Sequence, residues 1–398
     1  MTRIDLAGLR VRPAQVWGGV RLVPLVRDEP VEGLRLHREV YAHCGTATVD
    51  VGDGTTYTSY IPHGLVADWS EPGTDPGTAP GAADGTGIGT RARGEAAAYG
   101  TRLGGGVPAA AVPVRRLARR RHGEPRLRFL PLHLALEGYL ALHFGGPSVV
   151  WDEWSRQAVR RGLSPRAEAA YAGWQVPGLT EALRVFEIHP GQCGMLLYVA
   201  DALAAAFVVP HPEDYRVLHP TLVEDLFGEL VHQYGLYGGP VPEFTAALDG
   251  ERVHSLAQLR AAADAQAREW AAAHDDLMAR DLLGTSYAFE RVYRAGRFGL
   301  YRFLPPFLRS GQEQHIGELI TDHRGRTAYL KTFRLSEAQV RRGYLLRRLA
   351  DCDWHPGRTA EALGTSYAEL MARIRRAGLG ELLEAHVVAR RLREEREG

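Results

Sequence analysis

Asparagine does not occur in the 398-residue chain, and lysine occurs once, at Lys331. With Ala, Gly, Pro and Arg abundant, both absences match the translation bias of a GC-rich genome. Nearly every cation is therefore Arg, and an arginine-rich stretch is weaker evidence for nucleic acid than it would be elsewhere. Lys331 follows Thr-Ala-Tyr-Leu and has no GxxxxGK around it, which excludes a P-loop. Cysteine is equally scarce. Cys44, Cys193 and Cys352 are far apart and form no CxxC pair, so neither a disulfide framework nor a thiolate zinc finger is expected. The first residues, Met1 to Ala14, lack the apolar core of a signal peptide. The longest apolar run, Met195 to Pro210, is interrupted by Asp201 and is too short to cross a bilayer. The chain thus reads as cytoplasmic, with no membrane partner.

What is present is ordinary for a folded protein: 45% hydrophobic and 24% charged residues, enough for a large core. The formal net charge of +1 excludes a globally basic polynucleotide binder and leaves room for a local basic patch. Neither GxSxG nor a strand-to-helix GxGxxG is found; the glycines at 85, 87 and 89 lie in a low-complexity run.

Three regions are expected. Residues 8–237 read as an α+β domain, antiparallel and β-rich at its start. Its clearest signal is the Thr-rich stretch Thr46 to Tyr60 around the turn Gly52-Asp53-Gly54. A flexible Gly- and Pro-rich insertion is expected at about 70–125, ending in the basic run Arg115-Arg116-Leu-Ala-Arg119-Arg120-Arg121, with Arg126 and Arg128 behind it. That run reads first as a solvated charge cluster and second as a contact for nucleic acid or an anionic ligand. Val185 to His189 is a short strand candidate, Gly194 to Val209 supplies one or two more strands, and Asp214 to Tyr237 has helical spacing. Residues 238–333 read as a helical linker region, with a candidate hairpin turning at His323 to Arg326. Residues 334–398 form the third region.

In this third region, Ser336-Glu-Ala-Gln339 is a capping box, and Val340, Tyr344, Leu345 and Leu349 form an apolar stripe. Helices are predicted over about 336–351, 358–363 and 366–377, with a tail helix from 380. Ala360 stands where two helices approach closely, and Gly364 where a sharp turn favours positive φ. Leu363, Leu370 and Ile374 close a small core, Ser366 with Glu369 makes a second capping box, and Gly378 terminates the last helix. Eight arginines between Gln339 and Arg376 face four carboxylates, a local charge of +4.

Residues 336–379 resemble the Fis-type helix-turn-helix that ends many bacterial enhancer-binding activators, through Ala360, Leu363, Gly364, Ser366, Leu370, Arg373, Ile374 and Gly378-Leu379. The resemblance implies a homodimer on double-stranded DNA, with transcription regulation as the role and Arg358, Ser366, Tyr367, Glu369, Arg373, Arg375 and Arg376 at the contact. The chain departs from that family in two places. Tyr367 and Glu369 stand where a basic residue and a hydroxyl are common, and Asp353-Trp-His-Pro-Gly357 replaces a Gly-Gly-Asn loop. The hexapeptide Leu283-Gly-Thr-Ser-Tyr-Ala288 repeats Leu363 to Ala368, which raises a second, degenerate helix-turn-helix over 283–299 as an alternative to chance.

Further upstream, Val16-Trp-Gly-Gly-Val-Arg-Leu-Val-Pro-Leu25, Tyr60-Ile-Pro-His63-Gly, Phe186-Glu-Ile-His189-Pro-Gly-Gln192 and Asp214-Tyr-Arg-Val-Leu-His219 resemble the ARG and rhodanese-phosphatase-superfamily-associated protein domain. Here His63, His189, Gln192, Asp214, Tyr215 and His219 are the candidate pocket residues, since polar groups beside apolar strands need partners when buried. Their spacing does not demand catalysis. His189 and Cys193 are separated by Pro190-Gly191 and share no helix face. No metal and no cofactor is expected. The leading expectation is a DNA-binding regulator whose N-terminal domain senses a small-molecule ligand or a partner. The alternative is an enzyme or conflict-system component acting on a nucleotide or ADP-ribose-like substrate, with the C-terminal bundle used for assembly.

Overall fold

The computed structural model describes residues 2–39, 47–50, 55–60, 64–68, 101–103, 116–121, 128–129, 140, 184–223, 228–242, 247–274, 278–308 and 311–380. Strands β1 (Leu9–Val11), β2 (Gln15–Trp17) and β3 (Val20–Arg27) come first, and β4 (Arg35–Glu39) is next. Then come β5 (Ala47–Asp50), β6 (Thr55–Tyr60), β7 (Gly64–Asp68), β8 (Thr101–Leu103), β9 (Arg116–Arg121) and β10 (Arg128–Phe129). Strands β11 (Gln192–Val199) and β12 (Ala202–Val208) precede helices α1 (Pro212–Thr221), α2 (Gly228–Tyr237), α3 (Leu256–Ala273) and α4 (Arg280–Gly284). Four more strands lie beyond them: β13 (Ala288–Ala295), β14 (Phe298–Leu304), β15 (His315–Thr321) and β16 (Thr327–Arg334). Helices α5 (Glu337–Asp351), α6 (Pro356–Ala362) and α7 (Tyr367–Arg376) close the described chain. This is an α+β protein.

Nine of these strands form one antiparallel sheet in the order β1-β3-β11-β12-β16-β15-β14-β13, with β2 also on β3. The largely apolar strands β3 and β11 are buried along their whole length, Arg21, Arg27 and Gln192 included, as central strands covered on both faces are. The two-residue alternation divides the sheet into two cores. Val20, Leu22, Met195, Leu197, Phe207, Ile316, Ile320, Tyr329 and Phe333 face one core, which α1, α2 and α5 cover through Tyr215, Leu218, Val231 and Leu346. Val23, Leu25, Leu196, Tyr198, Phe303, Leu319 and Leu330 face the other, under Ile4, Leu282 and Tyr287. Burying each large aromatic here contributes roughly 1.5–3 kcal/mol. Two smaller sheets, β10-β9-β6-β5 and β4-β7-β8, carry the remaining strands. No helix among the described residues is long and apolar enough to cross a membrane.

Several expectations need correction. The helical reading of 238–333 holds only as far as Gly284. From Ala288 the chain forms four strands that join the sheet begun by β3, so the sheet runs through the expected boundary at 237. The cause is non-local: β16 pairs with β12 at Phe207–Lys331 and Val208–Leu330. The expected hairpin over 317–333 is present as β15 and β16. Val185 to His189 is not a strand; a helical turn ends at Val185, and the chain bends to Gly191, whose φ is +74°. Residues 283–299 form no second helix-turn-helix, because β13 begins at Ala288. Within the expected insertion at 70–125, residues 101–103 and 116–121 are strands. His63, most of that insertion and the tail helix after 380 lie outside the described residues.

Candidate functional site

The polar residues singled out between 186 and 219 meet where α1 crosses the start of β11. Pro212 opens α1, and Asp214 stands in its first turn. One Asp214 carboxylate oxygen accepts from Nε of Arg35 at 2.9 Å, and the other accepts from the backbone N–H of Leu36 at 2.9 Å. Asp214 thereby ties α1 to β4 rather than lining an open pocket. One turn later, Tyr215 and His219 are in hydrogen-bond contact, Oη to Nδ1, at 3.1 Å. The Gln192 side chain accepts from the backbone N–H of His189 at 2.9 Å and donates to the Gly194 carbonyl at 3.1 Å. It also stands near the Tyr215 hydroxyl, whose ionisation it favours weakly against burial.

The electrostatics of this cluster are set by burial. Burial pushes His219 down to about 4, against a weaker opposing pull from the Phe186 carbonyl, so its imidazole is neutral at pH 7. Burial raises Tyr215 and pushes the Cys193 thiol up to about 11, the Arg27 guanidinium beside it working the other way. His189 is half-buried, and burial first, then the Arg12 charge, lowers it. The shifts of Tyr215, Cys193 and His219 leave none of the three a nucleophile or a proton carrier near neutral pH. Gln192, Tyr215 and His219 are brought together, Asp214 is adjacent but faces Arg35, and His189 contributes only its backbone. Chemically the cluster is a brace between helix and sheet. Among the described residues, no group of three or more His, Cys, Asp or Glu is placed to hold a metal ion.

Sequence reasoning missed a second, partly buried network. Glu313 accepts from Arg334 at 3.1 Å and from the Leu203 N–H at 3.1 Å, and its own N–H donates to Asp281 at 2.9 Å. His315 Nδ1 lies 3.3 Å from Thr332 Oγ1, which already accepts from the Ala206 N–H at 2.9 Å. Burial lowers His315. Burial also opposes the charge of Glu313, but His315 and Arg334 outweigh it and hold the carboxyl below its usual range. These residues pin β12, β15 and β16 together from inside the sheet, and only their joint burial would have revealed them.

The C-terminal helices arise from local signals. Ser336 and Gln339 form the expected capping box on α5. Helix α6 starts two residues before its expected position, because His355 caps it through Nδ1 and Pro356 takes the first helical place. The turn between α6 and α7 uses Gly364 at φ +59°, and Gly378 at φ +76° ends α7. Ser366 accepts from the Glu369 N–H at 3.2 Å, but the reciprocal half of that box is missing. The Glu369 carboxylate instead accepts from the Thr365 hydroxyl at 2.7 Å and from Arg373 at 2.6 Å. Ala360, Leu370, Met371 and Ile374 are buried with α5 residues in the larger core. Glu369 and Arg376 lie on the opposite side of α7, Arg373 and Arg375 flank it, and Tyr367 stands at its start; all five are exposed, with Arg358 and Ser366 exposed nearby. Arg358 pairs with Asp353 at 3.1 Å, while Arg375 and Arg376 make no ion pair among the described residues.

No curated protein and no solved structure matches the chain. A family model does, over residues 4–296, more than half of the chain. On that match the chain belongs to ARPP-2, the ARG and rhodanese-phosphatase-superfamily-associated protein domain family.

Proposed function

We propose that the protein is a bacterial DNA-binding regulatory protein, in which the ARPP-2 region receives a small-molecule ligand or a partner and the C-terminal helices act as a Fis-type helix-turn-helix. The observation that carries this reading is the division of α7. Leu370, Met371 and Ile374 are buried, while Arg376 is exposed on the far side and Arg373 and Arg375 are exposed along the two edges. A helix anchored on one face and basic on the other is suited to the major groove, with phosphates neutralised along its edge. Arg375 and Arg376 carry most of that contact, because Arg373 and Arg358 are engaged by Glu369 and Asp353. A homodimer would present two such helices to half-sites about one helical turn of DNA apart.

The test is a titration of a fluorescent duplex with the full chain between about 50 and 200 mM salt, where released counterions set the slope. Arg375→Ala/Arg376→Ala is expected to weaken binding and to reduce the slope of log K against log salt by about two. Equal affinities for variant and wild type across that range would refute the reading.

A further inference from the structure

The bend from Glu187 to Gly191 touches the outer edge of the main sheet. The Glu187 carbonyl accepts from Nε2 of Gln15 on β2 at 2.9 Å, and the Gly191 carbonyl accepts from the Arg27 N–H on β3 at 3.0 Å. Three side chains at this edge have hydrogen-bonding capacity that the chain leaves unfilled. Oε1 of Gln15 is buried with no partner. The Arg12 guanidinium and the His189 ring, both half-buried, have no hydrogen bond or ion pair among the described residues. Register puts Arg12 and Gln15 on one face of the sheet. Gln15 stands opposite Leu22, and the Arg12 N–H donates to the Pro24 carbonyl at 2.9 Å. Leu22, and Met195 opposite Pro24, both belong to the larger core, against which Ile188 also packs. His189 adjoins the same spot: after burial, the Arg12 charge is what lowers it, and the exposed Glu187 opposes that more weakly.

The unfilled groups are of two kinds. A guanidinium and a neutral imidazole N–H donate, and they carry one positive charge. A carboxamide oxygen accepts, and Glu187, whose carbonyl holds the Gln15 amide, adds a carboxylate. We propose that this edge binds a small zwitterion, an amino-carboxylate or amino-phosphate compound, with its anionic group on Arg12 and His189 and its ammonium on Gln15 Oε1 and Glu187. Arg12 alone would accept any small anion. The buried acceptor is what requires a donor on the same molecule, because an unsatisfied buried oxygen is costly and uncommon. The proposal gives a chemical class to the small-molecule ligand of the ARPP-2 region and rests on that part of the reading above; the binding itself needs no DNA.

The experiment uses the full chain without DNA, in calorimetric titrations and melting curves. The probes are glycine, β-alanine, 4-aminobutanoate and O-phosphoethanolamine, which vary the spacing of the two groups and exchange carboxylate for phosphate. Acetate and methylammonium, at matched ionic strength, carry one group each. At least one zwitterion is expected to bind and to raise the melting temperature, and neither single-group control to do so. Tighter binding of O-phosphoethanolamine than of β-alanine assigns the anion as phosphate, and the reverse assigns it as carboxylate. Arg12→Gln is expected to weaken the tightest probe by about tenfold or more, and His189→Gln by several-fold. Neither side chain has a partner to lose, so both variants should melt close to wild type without ligand. Glu187→Gln, which keeps the carbonyl that holds Gln15, should weaken the zwitterion by several-fold. Arg375→Ala/Arg376→Ala should bind the zwitterion as wild type does while losing the duplex, so the two readings fail separately. The proposal is overturned if no zwitterion binds, if Arg12→Gln leaves binding undiminished, or if acetate or methylammonium alone stabilises the protein as much as the tightest zwitterion.

Discussion

Lys331, the single lysine of the chain, stands directly opposite Glu318 inside the main sheet, and each is about 1% exposed. The pair ends a row of alternating charge across four strands: Glu290 opposite Arg302, Arg302 opposite Glu318, and Glu318 opposite Lys331. Arg302 also reaches the more exposed Glu290 at 2.6 Å. Burying two charges costs several kcal/mol each, and without Lys331 the buried Glu318 keeps only Arg302 in its row, which Glu290 already engages. Lys331→Met is therefore expected to lower stability by about 3–5 kcal/mol in urea unfolding. Lys331→Met/Glu318→Leu should recover most of that loss, so a double variant as unstable as the single one would mean that the two charges do not act as a pair.

The same row shows what the sequence could and could not disclose. The uniqueness of Lys331 was legible, but its place in the core was not, because that depends on β16 pairing with a strand more than a hundred residues earlier. Local signals served the C-terminal helices well: caps, a positive-φ glycine and a 3.6-residue apolar period are all read within a few residues. The repeated hexapeptide marks the limit of that approach. In Leu363 to Ala368 it forms the turn and first residues of α7, with Gly364 left-handed; in Leu283 to Ala288 it ends α4 and opens β13. The residues downstream of each copy decide between helix and strand. Phe289-Glu-Arg-Val-Tyr is rich in aromatic and β-branched residues and finds a partner in β14, while Glu369-Leu-Met-Ala-Arg-Ile has helical spacing. The cluster of Gln192, Tyr215 and His219 was legible, but the partner of Asp214 was not, since Arg35 gives no sign in the sequence that it will take that carboxylate.

That ion pair gives a second test. Asp214 is buried and holds both Arg35 and the Leu36 N–H, while Glu213 beside it is exposed and meets only Arg35, at 3.2 Å. Asp214→Ala is expected to cost about 2–3 kcal/mol, because a buried backbone donor loses its acceptor. Glu213→Ala should cost less than about 0.5 kcal/mol, as for an exposed pair. Chemical denaturation of the two variants side by side measures the difference, and comparable losses would contradict the asymmetry.

Burial of His219 predicts a pH dependence. Its folded-state pKa is depressed to about 4 from 6.5, so the unfolded chain takes up a proton first as the pH falls. The neutral imidazole's contribution is complete above pH 6.5 and is lost progressively down to about pH 4. The loss is on the order of 3 kcal/mol. His219→Gln removes the titration, so its stability should fall less than that of wild type over this window in matched urea titrations. Parallel curves would show that His219 titrates normally.

Helix α5 is held to the sheet by a close fit. Phe307, buried at φ +55°, places its ring over Gly343, where an added Cβ would collide with it. Gly343→Ala is expected to destabilise by about 1–3 kcal/mol through overpacking, despite alanine's better helix propensity. Gly364 is the contrasting case. Nothing lies within 4 Å of a Cβ there, so Gly364→Ala should cost only the left-handed backbone, roughly 1 kcal/mol. Gly343→Ala should cost less in a Phe307→Leu background than in wild type, whereas the cost of Gly364→Ala should be the same in both. Melting curves of the four variants decide it.

The strongest internal check on the DNA reading is a gain of binding. Glu369 takes the Arg373 guanidinium at 2.6 Å and also receives the Thr365 hydroxyl. Both partners hold its carboxyl below the usual range, so it is ionised at any pH used for binding. A carboxylate on the face meant for phosphate repels the duplex and also occupies a cation. Glu369→Gln removes the charge and leaves the bond from its backbone N–H to Ser366, so the start of α7 survives. Duplex affinity is then expected to rise several-fold, and the salt slope to steepen by about one as Arg373 becomes available for a phosphate. A purely structural C-terminal unit would respond only through its stability. Tighter duplex binding at an unchanged melting temperature therefore separates a DNA-contacting α7 from a packing one, and unchanged or weaker binding would count against the contact.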